Sequence, residues 1–339
     1  MHNYFFHFSI NMPSKTLSST INIVILDAIT LNNTDFSALN DINNQTTSLI
    51  QSYQTTSNAQ LHERCKNADI IITNKICLDH DDLIKLPKLK LICIAATGTN
   101  NINLVTAKSQ GIAVTNVAGY STASVVQHTF TLLLNLISNS HKYIQDCQND
   151  LWQKSDMFCM LNHPITELEG KTLAIIGYGA LGKGVENIAK AFGMNILICE
   201  RKNQPIRAGR TEFSTAMKQA DIISIHTPLT EDTHHLISAN EFSLMKSTAI
   251  LINTARGGIV DEIALVEALK SKMITAAATD VLSIEPAQDT NPLIQYKGDN
   301  LIITPHIAWG SKESIARLVK EISLNITAFY NGESRNRVE

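Results

Sequence analysis

The sequence predicts an α/β protein built on two doubly wound parallel sheets. Three observations lead there. The chain has 339 residues, about two domains at roughly 150 residues each. Short apolar, β-branched runs alternate with amphipathic stretches long enough for helices, the pattern of parallel sheets covered on both faces. One of those runs ends in a glycine-rich turn that opens a helical pattern.

The elements follow in order. Residues 1–20 read as an extension before the first strand, with Met12 as an alternative start. Strands are expected at Ile21–Asp27, Ala68–Asn74, Leu89–Ala96 and Gly111–Val117, all apolar enough to be buried. A long helix opens at Ser121, where Ser121 and Ser124 are candidate caps, and carries apolar positions through Phe130 and Leu134 to Ile137. Gln148–Glu169 reads as an irregular connection. Further strands are expected at Thr172–Ile176, Asn195–Cys199, Asp221–Ile225, Ala249–Asn253, Ile274–Thr279 and Asn300–Thr304. Helices fall between them at about 180–192, 213–219, 240–246 and 261–271. The last helix, about 311–330, puts Ile315, Leu318, Ile322, Ile326 and Phe329 on one face and stops at Gly332.

Composition excludes several classes. Lys+Arg 28 against Asp+Glu 31 gives a net charge of −3, without the basic clusters of a nucleic-acid binder. At 44% apolar and 17% charged the chain has a globular composition. No apolar run approaches the roughly 18 residues of a membrane span. The first residues lack the basic region and apolar core of a signal peptide. Six cysteines, none in a CxxC pair, read as reduced and mostly buried thiols of a cytoplasmic protein. No cluster has metal-ligand spacing.

The turn is Gly177-Tyr178-Gly179-Ala180-Leu181-Gly182. Its first glycine makes the turn, the second lets the backbone approach a pyrophosphate, and the third lets helix pack on strand. The helix N-terminus then offers N–H groups to phosphate. An acid, Glu200, ends the next strand 18 residues after Gly182. Together these predict a Rossmann domain binding NAD, with Glu200 on the ribose hydroxyls and repelling a 2′-phosphate. Arg201 and Lys202, beside that acid, leave NADP as the alternative.

Three further residues stand just past strand ends, where ligands collect in an open parallel sheet. Arg256 lies in NTARGG, Glu285 in DVLSIEP and His306 in TPHIAWG. An Arg offers a planar fork to a carboxylate. A His held by a carboxylate moves protons near neutral pH, and the opposite charge favours its imidazolium. Taken singly, a strand-end Arg is commonly a salt-bridge residue and a lone His a structural one. Beside a cofactor fingerprint they fit one reaction: hydride transfer to a carbonyl carbon with proton delivery to its oxygen.

The ordered motifs ATGTNNIN, NVAGYSTASVVQHT, GKTLAIIGYGALGKG, HTPLTEDTHHLI, LINTARGGIVDE, TDVLSIEP and TPHIAW span most of the chain. In this the chain resembles the D-isomer-specific 2-hydroxyacid dehydrogenases, and within them the glycerate dehydrogenases, also called hydroxypyruvate reductases. The resemblance implies a flavodoxin-like substrate domain from both chain ends, 1–118 and 305–339, and a Rossmann NAD-binding domain at 119–304. It implies Arg256, Glu285 and His306 as the catalytic trio and Thr97 and Gly98 as backbone donors to the substrate carboxylate. Asp280 would bind the nicotinamide carboxamide, with Thr227, Pro228, Thr254, Ala255 and His306 along the cofactor. It also implies a homodimer, with the helix after Ser121 and the following connection wrapping the partner. The substrate would be a small 2-oxo or 2-hydroxy acid, with neither nucleic acid nor membrane as partner. Glyoxylate, another 2-oxo acid and phosphoglycerate are the alternative substrates, and an NAD-sensing corepressor-like binding protein is the non-enzymatic alternative.

Overall fold

The computed structural model describes residues 20–339 except Asn33, Asn40, Asn44 and Gln45. The expected N-terminal extension lies outside the described residues up to its last position. Two compact units divide the chain: one runs to Tyr120 and takes in Ile315–Glu339, and the other is Ser121–Ser314. Residues 305–314, expected with the first unit, therefore belong to the second. The cause is local. The main-chain N–H groups of Ile307 and Ala308 donate to the Asp280 carboxylate at 2.9 and 2.8 Å, and the Ser124 hydroxyl donates to the Ala308 carbonyl at 2.6 Å.

The first unit holds β1 (Thr20–Ile25), β2 (Asp41–Asn43), β3 (Thr46–Ser52), β4 (Ile70–Thr73), β5 (Leu91–Ile94) and β6 (Ala113–Thr115). Among the described residues these form one sheet in the order β2-β3-β1-β4-β5-β6, parallel except for β2. Its five parallel strands have the flavodoxin order 2-1-3-4-5. The strands β4 and β5 are buried throughout, which is why they read as continuous apolar runs. Sequence reading missed β3. It is polar, with Leu49 and Gln51 exposed, and only the short β2 lies beyond it.

The second unit holds β7 (Thr172–Ile176), β8 (Asn195–Ile198), β9 (Ile222–Ile225), β10 (Ile250–Asn253), β11 (Ala276–Thr279) and β12 (Leu301–Ile303). All pair in parallel, in the order β12-β11-β10-β9-β7-β8. Beyond β8 the chain returns for a single bridge, Cys199 with Thr211. The Rossmann order 3-2-1-4-5-6 is thus present with its third strand reduced to one residue, and β12 adds a strand at the far edge.

Alternating side chains divide this core. Leu173 and Ile175 of β7, with Ile250 and Ile252 of β10, face a cluster that includes Phe130, Leu133 and Val185 from the helices Thr122–Ser138 and Ala180–Ala191. Ala174, Ile176 and Leu251 face the other cluster, with Met217 and Leu265 from the helices Phe213–Gln219 and Glu262–Lys270. This two-residue period with helices on both faces is what permits an all-parallel sheet. Ser121 stands at the helix N-cap but makes no side-chain cap bond, and Ser124 ties the helix to residues 308–311 instead of capping it. A helix at Ser140–Gln148, absent from the sequence reading, buries no side chain and so leaves a weak apolar pattern. Among the described residues no helix is long and apolar enough to cross a membrane. All six cysteines are free; Cys65, Cys93 and Cys199 are buried and Cys77, Cys147 and Cys159 exposed, so only half fit the buried reading.

Candidate active site

Because β7 to β12 are all parallel, their carboxyl ends lie along one edge of the sheet, and every strand delivers expected site residues there. The loop after β7 carries the glycine motif, β8 leads to Glu200 and Arg201, and β9 to Thr227 and Pro228. From β10 the chain enters Thr254–Arg256, from β11 it reaches Asp280 and Glu285, and from β12 it reaches His306. Thr97 and Gly98 stand after the carboxyl end of β5 in the first unit. There the Thr97 hydroxyl donates to the Val117 carbonyl at 2.9 Å, and Asn116 Nδ2 donates to the Thr97 carbonyl at 2.7 Å. Among the described residues no acceptor takes the N–H of Thr97 or Gly98.

The glycine turn fits a dinucleotide. Gly177 has φ +91°, and a Cβ there would lie 2.4 Å from the His226 carbonyl oxygen and 2.8 Å from Thr227 N. The loops after β7 and β9 therefore touch through bare backbone. A Cβ on Gly182 would lie 2.3 Å from the Gly177 carbonyl oxygen, whereas one on Gly179 would meet nothing within 4 Å. That open space lies at the start of the helix Ala180–Ala191, whose N-terminus has no side-chain cap. Uncapped N–H groups below an open cradle are what a pyrophosphate requires.

His306 Nδ1 lies 2.6 Å from Glu285 Oε2. The other carboxylate oxygen, Oε1, accepts the Leu282 N–H at 3.0 Å. Facing a carboxylate, Nδ1 carries a proton, which leaves Nε2 as the ring position that exchanges one. The His306 backbone has φ +54°, a region few non-glycine residues occupy. It is held there by the His306 N–H, which donates to the carbonyls of Asp280 and Thr304 at 2.8 and 3.0 Å.

Asp280 is 1% exposed and has a task that sequence reading missed. Its Oδ1 accepts the Thr304 hydroxyl at 2.6 Å and the Ile307 N–H, and its Oδ2 accepts the Ala308 N–H. His128 Nε2 lies 3.5 Å from Oδ1 and 3.0 Å from the Thr304 hydroxyl. Burial alone would raise the Asp280 pKa, but the hydrogen bonds from His128, Thr304, Ala308 and Ile307 outweigh it and hold the carboxyl below its usual range. The carboxylate thus clamps the His306 loop onto β11. The Thr254 hydroxyl lies 3.0 Å from that of Thr129.

Arg256 is exposed, and its Nη1 donates to the Ala255 carbonyl at 2.7 Å. Asn253 fixes this turn from both sides: its Oδ1 accepts the Ala255 N–H and its Nδ2 donates to the Arg256 carbonyl, each at 3.0 Å. The neighbouring Gly257 presses on the Glu285 loop, where an added Cβ would lie 1.9 Å from the Leu282 carbonyl oxygen. The loop that carries Arg256 and the loop that carries Glu285 therefore meet backbone to backbone, at Gly257 and Leu282.

Glu200 is buried, and its partner is Arg207, which sequence reading overlooked. Arg207 Nε donates to Oε2 at 2.7 Å and Nη2 to Oε1 at 2.6 Å. The N–H groups of Arg201 and Arg207 add bonds at 2.8 and 3.2 Å. The Arg207 side chain first, and then the Arg201 N–H, hold the Glu200 carboxyl down at about 2. Lys202, expected at the acid, pairs with Glu241 at 2.7 Å instead. The run RKNQPIRAGR contains Arg207, but spacing alone does not say which cation folds back. Because the folded pKa is depressed from 4.5, this pairing contributes stability above about pH 4.5 that is lost as pH falls towards 2. In acid titrations followed by circular dichroism, Glu200→Gln is expected to show a smaller loss of stability than wild type across that window; equal losses would contradict the pairing.

A family model described as the NAD-binding domain of D-isomer-specific 2-hydroxyacid dehydrogenases matches residues 130–308. The chain belongs to this family. A Haemophilus influenzae protein described as a 2-hydroxyacid dehydrogenase is 46% identical over 280 residues, 82% of this chain and 89% of the relative. The glycerate dehydrogenase of Methylorubrum extorquens is 42% identical over 280 residues, covering 83% and 88%. D-lactate dehydrogenase from Aquifex aeolicus, solved with NAD and lactic acid, superposes with a TM-score of 0.75 at 31% identity, covering 91% of this chain and 96% of that one. The chain is thus an NAD(P)-binding oxidoreductase of the D-2-hydroxyacid dehydrogenase family, acting on the CH–OH group of 2-hydroxy acids.

Proposed function

We propose that this dehydrogenase is a glycerate dehydrogenase that works as a hydroxypyruvate reductase. The observation that carries the chemistry is the His306–Glu285 pair at 2.6 Å on the carboxyl edge of the sheet. The 42% identical glycerate dehydrogenase supports the choice of substrate.

A dinucleotide would be held by the 177–182 turn and would supply the hydride. The residues of the chain do the rest. Arg256 presents a guanidinium to the substrate carboxylate and sets the orientation of the carbonyl. Thr97 and Gly98 keep their proposed part as carboxylate donors. His306 gives the proton on Nε2 to the carbonyl oxygen. Glu285 keeps the tautomer and stabilises the imidazolium, and Asp280 positions the loop. Hydroxypyruvate reduced at C2 gives D-glycerate, which chiral chromatography of the product identifies; L-glycerate, or no turnover, would contradict the proposal. Arg256→Ala is expected to raise KM for the 2-oxo acid at least about tenfold, the scale of one lost charge-assisted contact. Unchanged KM and kcat would remove Arg256 from this role.

We also propose a homodimer with the protein in the cytoplasm. The connection after the helix Ser140–Gln148 exposes Trp152, Met157, Phe158, Leu161 and Ile165, with Phe158 84% and Leu161 76% exposed. So many large apolar side chains along one connection mark a protein-binding surface. Light scattering should give a dimer, and Phe158→Ser with Leu161→Ser should give a monomer. A monomeric wild type would contradict this.

A further inference from the structure

We propose that Arg207 presents a guanidinium to the 2′ position of the adenosine ribose, so that the site admits NADPH at least as readily as NADH. The inference rests on the dinucleotide reading of the 177–182 turn but not on the choice of 2-oxo acid.

In a Rossmann domain the residue at the end of the second strand meets the ribose, and here that residue is Glu200. A carboxylate has about four acceptor positions. Glu200 fills them with the Arg201 N–H, the Arg207 N–H, and Nε and Nη2 of Arg207. No position is left for a ribose hydroxyl without breaking one of these bonds. The side chain of Glu200 is also only 2% exposed, whereas that of Arg207 is 58% exposed. The surface offered at the end of β8 is therefore a cation.

The geometry of that cation suits a phosphate. A guanidinium has five N–H donors, and Glu200 takes one on Nε and one on Nη2, leaving the outer edge of the fork for a second anion. Glu200 neutralises Arg207 only in part once a dianion arrives, and two more arginines stand close in the chain. Arg201 is exposed, and the Arg210 guanidinium lies 4.9 Å from the centre of the Tyr178 ring, beside the glycine turn. The nearby acids are otherwise engaged: Glu241 holds Lys202, and Glu186 holds Lys190 and the Tyr178 hydroxyl. In this arrangement Glu200 anchors and aims Arg207 rather than repelling the 2′-phosphate.

Isothermal titration of the substrate-free protein with NADH and with NADPH tests this without turnover. Wild type is expected to bind NADPH as tightly as NADH or more tightly. Arg207→Ala should weaken NADPH by about tenfold or more, the scale of one lost charge-assisted bond to phosphate, while NADH is unchanged or tighter because Glu200 is released. Arg207→Gln, checked by circular dichroism, gives the same reading if the alanine variant does not fold. NADH binding well above NADPH in wild type, or an unchanged NADPH-to-NADH ratio in folded Arg207 variants, would overturn the proposal. Failure of both dinucleotides to bind would instead overturn the cofactor reading on which it stands.

Discussion

His306→Ala is expected to lower kcat for 2-oxo acid reduction by about 10²- to 10⁴-fold, the usual worth of a positioned general acid. The carbonyl oxygen gains charge as hydride arrives at carbon, and without a donor that charge must be met by water. Dinucleotide affinity should change little in comparison, because the glycine turn and the β8 end do not depend on this ring. Glu285→Gln should retain the hydrogen bond to Nδ1 but lose the charge that stabilises the imidazolium. Its rate should therefore fall less than that of His306→Ala. Reduction consumes the imidazolium and oxidation of the hydroxy acid consumes the neutral ring, so the two directions use opposite proton states of the same side chain. Near-wild-type turnover in His306→Ala would remove His306 as the acid.

Gly257→Ala is expected to cost about 10²-fold in kcat although the added methyl touches no substrate. The Cβ would lie 1.9 Å from the Leu282 carbonyl oxygen and 2.0 Å from its carbon, so backbone must move. Leu282 is the residue whose N–H holds Glu285 Oε1, and Arg256 precedes Gly257 directly. A displacement here moves Arg256, the proposed carboxylate-binding fork, relative to the proposed proton donor, and a shift of about 1 Å in such a constellation is enough for a loss of that size. Overpacking of this kind also costs about 1–3 kcal/mol of stability, which calorimetry should detect as a lowered Tm. Wild-type kcat in a folded Gly257→Ala protein would show that the two loops are not coupled.

The contrast between these two residues shows what the sequence discloses. Glycines at fixed spacing, an acid at the next strand end and Arg, Glu and His past three further strands are local signals, each attached to an apolar run whose period names the element. The strands β7, β9, β10 and β11 were legible because burial on both faces makes them nearly continuously apolar, and the half-buried edge strands β8 and β12 because they still carry apolar runs. The strand β3 was not, because its polar, half-exposed character reads as loop. The tasks of Asp280 and Glu200 depend on which groups fold back onto them. Arg207 lies seven positions beyond Glu200 and could have faced solvent; Ile307 and Ala308 reach Asp280 only because His306 takes a left-handed backbone. Such pairings across loops have no period, so spacing cannot announce them. The same holds for residues 305–314, which follow Asp280 and Ser124 into the second unit.

The most direct test of the account is kcat/KM for oxidation of reduced nicotinamide dinucleotide by the wild-type protein, measured with hydroxypyruvate, glyoxylate, pyruvate and phosphohydroxypyruvate. The account predicts turnover with 2-oxo acids and the highest kcat/KM with hydroxypyruvate. A higher value with glyoxylate or phosphohydroxypyruvate would contradict the proposed substrate, and no turnover with any of the four would contradict the assignment of His306, Glu285 and Arg256 to carbonyl reduction.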